Sequence, residues 1–297
     1  MSSPHRFPAA ALGTVLEPVF VQVSKRHLMS YAAVMGALEP CYLDDAGPGG
    51  IACLPTFAVV PEWRVMNGSS YRGVLGADDP CMWRCIHVQQ DSRFLQPLEP
   101  GQSVAVNGRI CTIRQTRIGV YVAVRLDTVL SDTGALAAQS WFCGIFLGDG
   151  LEGEGGAIEE PPVLPAAVDT DGWHVLPEPI LTVSRELPHL YTEATAIWNP
   201  IHTEQTAARA AGLDDILLHG TCTWGSAGLA LIRQIADGEP RRLLRLGAKM
   251  VGKALVGDEL YLRWAAVRAA PQQHIGFQVF NQANELVLSD GIAEFRD

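Results

Sequence analysis

One pattern occurs twice along the chain: a glycine-containing turn followed by several long, strand-like segments. In the first half Leu98-Glu99-Pro100-Gly101 precedes these segments, and in the second half residues 253–258 do so. The segments are rich in β-branched and apolar residues, and they are 103–106, 110–115, 119–126 and 136–146, then 260–267, 274–281 and 286–295. Turns are predicted at Asn107-Gly108 and Asp132-Thr133-Gly134. A repeat at this scale indicates a duplicated unit with an antiparallel sheet.

The length of the chain fits two such units. With 297 residues, it is long for one domain and comfortable for two of about 150 residues each. Between the repeats lies a glycine-rich, acidic and proline-rich stretch without hydrophobic periodicity, which is typical of a surface linker. We therefore expect a first unit at 1–150, a linker at 151–168 and a second unit at 169–297.

Each half has helix-forming sequence before its sheet, which predicts α+β layering with one long helix packed on the concave face of a curved sheet. In the first half, residues 27–45 have helical periodicity that is broken at Pro40. In the second half a short helix capped by Thr203 and ended by Gly212 is expected, and then the long helix at 221–235. The buried side of that long helix is predicted to be Trp224, Leu229, Leu231 and Ile232. Two such halves side by side would form a pseudo-dimer with one continuous sheet.

Composition and charge argue against several classes of function. The net charge is −10 and no basic stripe with interleaved aromatic residues occurs, which speaks against nucleic-acid binding. No apolar run approaches the ~18 residues of a membrane span and the start lacks a secretory signal, so we expect a soluble, cytoplasmic protein with no membrane partner. Cys81, Cys85 and His87 lack a second ligand pair, and neither a metal nor a cofactor is expected.

The stretch 191–227 carries the candidate chemistry, because it places two histidines in two separate turns. Asn199-Pro200, just before His202, is a turn signal, since proline fixes its own φ and pushes the preceding residue out of the α region. His219 precedes Gly220, which lies where the long helix is predicted to begin. A glycine at a helix start lets a ligand approach free backbone N–H groups.

This stretch resembles the MaoC-like family of (R)-specific enoyl-CoA hydratases and 3-hydroxyacyl thioester dehydratases. The family pattern is roughly Gly-Asp-aromatic-Asn-Pro-aliphatic-His-x-acidic, then Ala-Gly, then aliphatic-His-Gly. Here it reads Ala196-Ile197-Trp198-Asn199-Pro200-Ile201-His202-Thr203-Glu204, then Ala211-Gly212 and Leu218-His219-Gly220-Thr221. The resemblance implies the hotdog fold, as a double hotdog when both halves are counted. The aspartate of the family falls on Ile197, which can neither take nor hold a proton.

The first half resembles a second copy that has lost its reactive groups. Gly36 to Tyr42 matches 196–202 without a gap, and it places Ala37 and Tyr42 where the family has aspartate and histidine. Residues 53–57 resemble the Pro-Pro-Thr-Phe segment of N-terminal hotdogs in double-hotdog dehydratases. His87 lies in a segment that resembles their His-Gly-Glu-Gln strand, and we interpret it as a partly buried structural residue. The unit at 1–150 is therefore expected to be a degenerate hotdog.

The resemblance also implies roles for the residues of the motif. In the family, the acyl thioester lies in a tunnel between the two halves, with its carbonyl against the N–H of the glycine matched by Gly220. His202 is then the acid–base group, and Asn199 holds the local turn or a water. The remaining motif residues expected to contact substrate are Trp198, Pro200 and Thr221.

Other residues are candidates for what the motif lacks. Glu193, one helical turn before Ile197, and Glu39 of the first half are candidate replacements for the missing carboxylate. His219 is a candidate for a direct role, although a structural role behind the glycine is also open. The densest basic cluster is interpreted as a candidate phosphate contact at the mouth of the tunnel; it contains Arg241, Arg242, Arg245, Lys249 and Lys253.

The sequence thus predicts a hydro-lyase acting on a 2-enoyl or 3-hydroxyacyl thioester of CoA or of an acyl carrier protein. Addition of water normally uses two groups, and Ile197 removes one of them. Three alternatives therefore stay open: one-base chemistry such as double-bond isomerisation or another lyase reaction, a thioesterase, and a non-catalytic thioester-binding subunit. A homodimer of double hotdogs is a further expectation.

Overall fold

A computed structural model describes residues 4–165, 172–268 and 273–296. The helices are α1 (Lys25–Val34), α2 (Pro40–Leu43), α3 (Val59–Met66), α4 (Ser69–Leu75), α5 (Asp79–Met82), α6 (Leu187–Thr195), α7 (Gln205–Ala210) and α8 (Gly220–Ile235). The strands are β1 (Arg6–Pro8), β2 (Val19–Gln22), β3 (Cys85–Phe94), β4 (Ser103–Gln115), β5 (Gly119–Leu130), β6 (Leu136–Leu147), β7 (Gly150–Glu152), β8 (Gly156–Ala157), β9 (His174–Val175), β10 (Leu181–Thr182), β11 (Leu243–Met250), β12 (Glu259–Arg268), β13 (Gln273–Asn281) and β14 (Leu286–Phe295).

One antiparallel sheet runs through both halves of the protein. Its strand order is β10-β12-β13-β14-β11-β3-β6-β5-β4-β2, so the second half supplies one side and the first half the other. The two sides meet where β11 pairs with β3, with Arg245 opposite Arg93 and Lys249 opposite Gln89. The predicted α+β double hotdog with a continuous sheet is confirmed.

The long helix of the second half is α8, which begins one residue before its predicted start. Its residues from 221 to 232 are all buried, including the four predicted ones, and it packs on β11, β14 and β3. Gly228 allows this close packing, since a Cβ there would lie 2.7 Å from Leu246 Cδ2. In the first half a 3-10 turn at Pro55–Ala58 leads directly into α3, which packs on β4 and β5. The helix of the first half is therefore shorter than that of the second.

The duplication is visible in matched hydrogen bonds. Tyr31 on α1 donates its hydroxyl hydrogen to Thr56 Oγ1 at 3.1 Å, and Tyr191 on α6 donates to Thr221 Oγ1 at 3.0 Å. All four residues are buried, and each pair joins the helix before the motif to the start of the helix after it. Gly36 and its counterpart Ala196 both have positive φ, of 70° and 56°. The first half therefore keeps the backbone conformation of the motif, although it lacks the aspartate and histidine of the family pattern.

Two local predictions are wrong. Asn107-Gly108 forms no turn, because β4 runs through it without interruption. A Cβ at Gly108 would lie 2.9 Å from both Leu16 Cδ1 and Val65 Cγ1, so this glycine serves close packing of α3 on the sheet. Thr203 is not a helix cap either: α7 begins after Glu204, and Thr203 ends the 3-10 turn Pro200–His202.

The segment interpreted as a linker is partly paired with strands of the first half. Its start lies in β7, which forms a separate two-stranded parallel sheet with β1, and β8 pairs with β4 of the main sheet. Glu159 then forms an ion pair with Arg125 on β5. Residues 166–168 of the linker lie outside the described residues, and the boundaries at 150 and 168 stay a prediction. Within the described ranges, no helix is long and apolar enough to cross a membrane.

Arg245 stabilises the seam between the halves. It lies on β11, is only 7% exposed, and donates two hydrogen bonds to the carboxylate of Asp91 on β3, at 2.9 and 2.7 Å. A third hydrogen bond, at 2.8 Å, goes to Glu294 Oε1 on β14. Removing one partner from such a buried cluster leaves charges without compensation, which is costly.

We therefore expect Arg245→Met to lower the free energy of unfolding by about 3–5 kcal/mol. The control is Arg185→Met, because Arg185 pairs with Asp215 at the surface and such a pair contributes about 0–1 kcal/mol. Denaturant titration of both variants measures the difference. Equal losses in the two variants would show that the seam does not depend on this cluster.

Candidate active site

The turn that carries His202 is built by Asn199 and Pro200. Asn199 Oδ1 accepts a hydrogen bond from the N–H of Ile201 at 3.3 Å, and the buried proline opens the short 3-10 turn that ends at His202. The imidazole then donates from Nδ1 to the carbonyl oxygen of Leu217 at 2.7 Å. Because a carbonyl can only accept, this contact fixes the proton on Nδ1 and leaves the lone pair on Nε2.

The start of α8 faces this turn. Gly220 is the first residue of the helix, and its N–H and that of Thr221 have no carbonyl within the helix to which they can donate. Gly220 is half-buried and therefore within reach of a ligand, and Met250 lies beside it. A Cβ at position 220 would lie 3.1 Å from Met250 Cγ, so glycine keeps the helix start open.

His219 links the two turns. Its ring stacks on that of His202 with 3.8 Å between ring centroids and 23° between ring planes. Its Nε2 lies 2.9 Å from the carbonyl oxygen of Ile197 and 3.2 Å from Thr192 Oγ1. The structure thus brings three predicted residues together: His202, His219 and Gly220.

Burial keeps both imidazoles neutral. Packing of the His202 ring lowers its pKa from 6.5 to about 4, although the hydrogen bond to Leu217 opposes this shift. Burial, and then the neighbouring charge of His202, hold the pKa of His219 well below its usual value, against the opposing effect of its hydrogen bond to Ile197. At neutral pH the Nε2 lone pair of His202 is therefore available as a base.

Ile197 occupies the position of the family aspartate and is part of the core. Its side chain is 3% exposed. Its N–H donates to Thr195 Oγ1 at 3.2 Å and its carbonyl accepts from His219. The backbone of this position is therefore used to hold the site, while its side chain contributes only packing.

Neither predicted replacement carboxylate is brought to His202. Glu193 lies on the exposed face of α6. Glu39 forms an ion pair with Arg233, thirteen residues along α8 from Gly220, which is about 20 Å at the rise of an α-helix. Burial raises the pKa of Glu39, but hydrogen bonding and the charge of Arg233 outweigh it and lower the pKa overall. The prediction of Glu39 as a group near His202 is wrong.

Aromatic residues lie where the motif contacts the first half. Trp198 is 45% exposed and packs edge-to-face against Trp83, with 5.9 Å between ring centroids. Asn199 Nδ2 donates to the carbonyl oxygen of Trp83 at 3.1 Å. Asn199 therefore stabilises its own turn and also binds the first half of the chain. Trp83 and Met250 were missed by sequence reasoning, because nothing in their local sequence signals a contact across the fold.

The first half also anchors the end of α6. His27 Nε2 lies 2.7 Å from the carbonyl oxygen of Ala194, and Asn67 Nδ2 donates to the carbonyl oxygen of Ala196 at 3.1 Å. Thr221 uses its hydroxyl oxygen to accept from Tyr191, and its side chain is buried, while its backbone N–H lies in the first turn of α8. His87 lies apart from this site, against Phe142 with 4.6 Å between ring centroids.

The basic cluster does not stay together. Arg245 donates its hydrogen bonds to Asp91 and Glu294, and its guanidinium is buried between β3 and β11. The prediction that Arg245 contacts phosphate is therefore wrong. Three other members lie elsewhere: Arg242 pairs with Asp237, Lys249 pairs with Asp290, and Arg241 lines a surface pocket with Pro55 and Phe94. Lys253 is exposed and precedes Ala254, whose carbonyl accepts from the N–H of Leu218.

Comparison with known proteins gives two family matches that divide the chain. Residues 10–139 match the FAS1-like dehydratase domain region, and residues 168–285 match the MaoC like domain. The 3-hydroxyacyl-thioester dehydratase Y of Mycobacterium tuberculosis is 26% identical over 267 residues, which cover 84% of each chain. The probable enoyl-CoA hydratase 2 of Dictyostelium discoideum is 20% identical over 284 residues, covering 94% of this chain and 92% of that one.

A solved structure supports the fold. The MaoC-like dehydratase from Phytophthora capsici superposes with a TM-score of 0.78 at 16% identity, covering 97% of this chain and 98% of that chain. Hydratases and dehydratases are hydro-lyases, so the names of the relatives agree with the predicted enzyme class. The chain therefore contains a FAS1-like dehydratase region at 10–139, followed by a MaoC like domain at 168–285.

Proposed function

We propose that this protein catalyses the reversible interconversion of a 3-hydroxyacyl thioester and a 2-enoyl thioester, carried by CoA or by an acyl carrier protein. The observation that carries the proposal is the position of a neutral His202, with its Nε2 lone pair available, next to the free N–H groups at the start of α8. A base and an oxyanion site are the two elements that chemistry beside a thioester carbonyl needs.

The backbone N–H of Gly220 is the proposed oxyanion donor. When a proton leaves the carbon beside the thioester, negative charge develops on the carbonyl oxygen. The N–H groups and positive end of a helix stabilise such charge in place, at no cost of reorganisation. Gly220 suits this role because a side chain there would meet Met250.

His202 is proposed to serve as the single acid–base group. In dehydration, Nε2 takes the α-proton and the C–H electron pair moves to the thioester as an enolate. The imidazolium then gives that proton to the β-hydroxyl, the C–O bond breaks, and water leaves as the double bond forms. Hydration runs the same steps in reverse. A syn reaction lets one group reach both protons, so Ile197 need not contribute.

A second candidate is double-bond isomerisation on the same thioester site, which the apolar Ile197 specifically favours. Moving a double bond requires one base to take a proton from one carbon and return it to another, with no water activated. The product distinguishes the two: a hydroxyacyl thioester for the hydratase, and an enoyl thioester with a shifted double bond for the isomerase.

We expect incubation with crotonyl-CoA to yield a 3-hydroxyacyl thioester, measured by mass spectrometry. His202→Ala should reduce the rate about 10²–10⁴-fold, as loss of a general base does. Gly220→Val should also abolish turnover, because its branched side chain blocks the helix start. The control is His174→Ala, since His174 is exposed and stacks on Trp264 in β12. Full activity in His202→Ala would refute the site, and free thiol as the product would indicate a thioesterase.

The depressed pKa of His202 sets the pH dependence. In the folded protein His202 stays in its neutral, basic form until the pH approaches its pKa of about 4. We therefore expect kcat/KM to stay constant at pH values well below 6.5, the ordinary pKa of histidine. The stability of the fold should depend on pH in this range, because folding favours the neutral form of His202. The contribution of His202 to the free energy of unfolding is complete above pH 6.5 and is lost as the pH falls toward 4. Tm and kcat/KM measured between pH 4 and 8 test this. An acid limb at 6.5 without loss of Tm would contradict it.

Ile197→Asp tests the single-base reaction. Because the side chain at 197 is buried, a carboxylate there would be desolvated, at a cost of several kcal/mol or an upward shift of its pKa. We expect a lower Tm and no gain in crotonyl-CoA hydration. Ile197→Asn, of equal size and without charge, is the control for shape. A tenfold or greater gain in hydration would show that the enzyme lacks a second group that it needs.

A further inference from the structure

We propose that His219 is a positioning residue for the reaction proposed above: it holds the ring of His202 and the turn of Ile197 in one arrangement, so that one imidazole can act alone. This inference rests on the proposed function of His202. It is carried by two contacts of His219, on its ring face and at its Nε2, by its place directly before Gly220, and by the burial of its side chain.

The hydrogen bonds of His219 define its tautomer. The carbonyl oxygen of Ile197, 2.9 Å from Nε2, can only accept, so Nε2 carries the proton. Nδ1 is buried and has no hydrogen-bond partner within the described part of the chain. A protonated Nδ1 would therefore be a buried donor without an acceptor, and the ring remains neutral with a single orientation.

The stacked ring of His219 restricts the orientation of the His202 ring. One hydrogen bond, from Nδ1 to Leu217, leaves the His202 ring free to turn about that contact. The His219 ring, at 3.8 Å and nearly parallel, covers one face and selects one plane. When His202 takes a proton in the reaction, a neutral aromatic face lies against the new cation, which is favourable, whereas a second cation would repel it.

His219 also fixes the distance between base and oxyanion site. The N–H of Leu217 donates to the carbonyl oxygen of Ile201 at 3.1 Å, and His202 donates back to Leu217. The hydrogen bond from His219 to the carbonyl oxygen of Ile197 adds a second connection between the segment before α8 and the turn that carries His202. Since His219 is the residue before Gly220, the turn with the base and the helix start with the N–H groups move as one body.

Two substitutions separate the two contacts. His219→Gln keeps an N–H donor at the reach of Nε2 but loses the aromatic face, and His219→Phe keeps the face but loses the donor. With crotonyl-CoA we expect each to lower kcat about 10- to 100-fold, with KM changed less than threefold, since a small misplacement of a catalytic group can cost that much. The pH profile of kcat/KM should also shift in His219→Phe.

His87 provides a matched control in the other half. Its Nε2 also lies 3.0 Å from a backbone carbonyl oxygen, that of Gln89, its ring also packs on an aromatic ring, and burial lowers its pKa to about 4 as well. His87→Gln and His87→Phe should lower Tm to a similar extent and leave kcat within threefold. If they lower kcat as much as the His219 variants at equal loss of Tm, the role of His219 is only structural and the proposal fails.

Nuclear magnetic resonance of the unsubstituted protein with ¹⁵N-labelled histidine tests the arrangement without any variant. We expect the Nδ1–H tautomer for His202 and the Nε2–H tautomer for His219. The opposite tautomer at His219 overturns the proposal even if both His219 variants fail to fold. If the unsubstituted protein hydrates no crotonyl-CoA while both tautomers are as expected, the proposed function fails and the positioning contacts of His219 stand.

Discussion

The pairing of β11 with β3 is the constraint on which the rest of the molecule depends. It joins two sheets into one, and the start of α8 and the Asn-Pro turn of the second half then lie against elements of the first. Charge must be buried to make this seam, because Asp91, Arg245 and Glu294 all lie there with little exposure. Their mutual hydrogen bonds offset the cost of desolvation, which favours one register of the two strands over others.

Duplication explains why only one copy carries the reactive groups. The first half keeps the tyrosine–threonine bond and the positive-φ turn at Gly36, but Pro55 stands where the second half has Gly220. Proline has no N–H, so that helix start lacks the donor that Gly220 provides in the second half. Tyr42 is fully buried in the position of His202. The first half instead contacts the second half through His27, Asn67 and Trp83.

The parts of the site that were predictable from sequence are those whose geometry is set by local backbone chemistry. The Asn-Pro dipeptide favours a turn through its own backbone chemistry, and the glycine at a helix start is predictable from the pattern around His219. The repeat and its α+β layering were predictable for the same reason. Three of the failures share one cause: Glu39, Arg245 and Gly108 contact partners that lie 194, 154 and 43 positions away in sequence, and no local pattern encodes such partners.

The apolar residue at 197 changes the electrostatics of the whole site. A carboxylate at that position would favour the charged form of a neighbouring imidazole and raise its pKa. With isoleucine there, burial acts without opposition from a nearby anion, and two stacked histidines stay neutral at little distance from each other. In the proposed reaction, a cation formed on His202 has no carboxylate at position 197 to stabilise it. Such a base returns its proton readily, and this is the property that a single-group syn reaction requires.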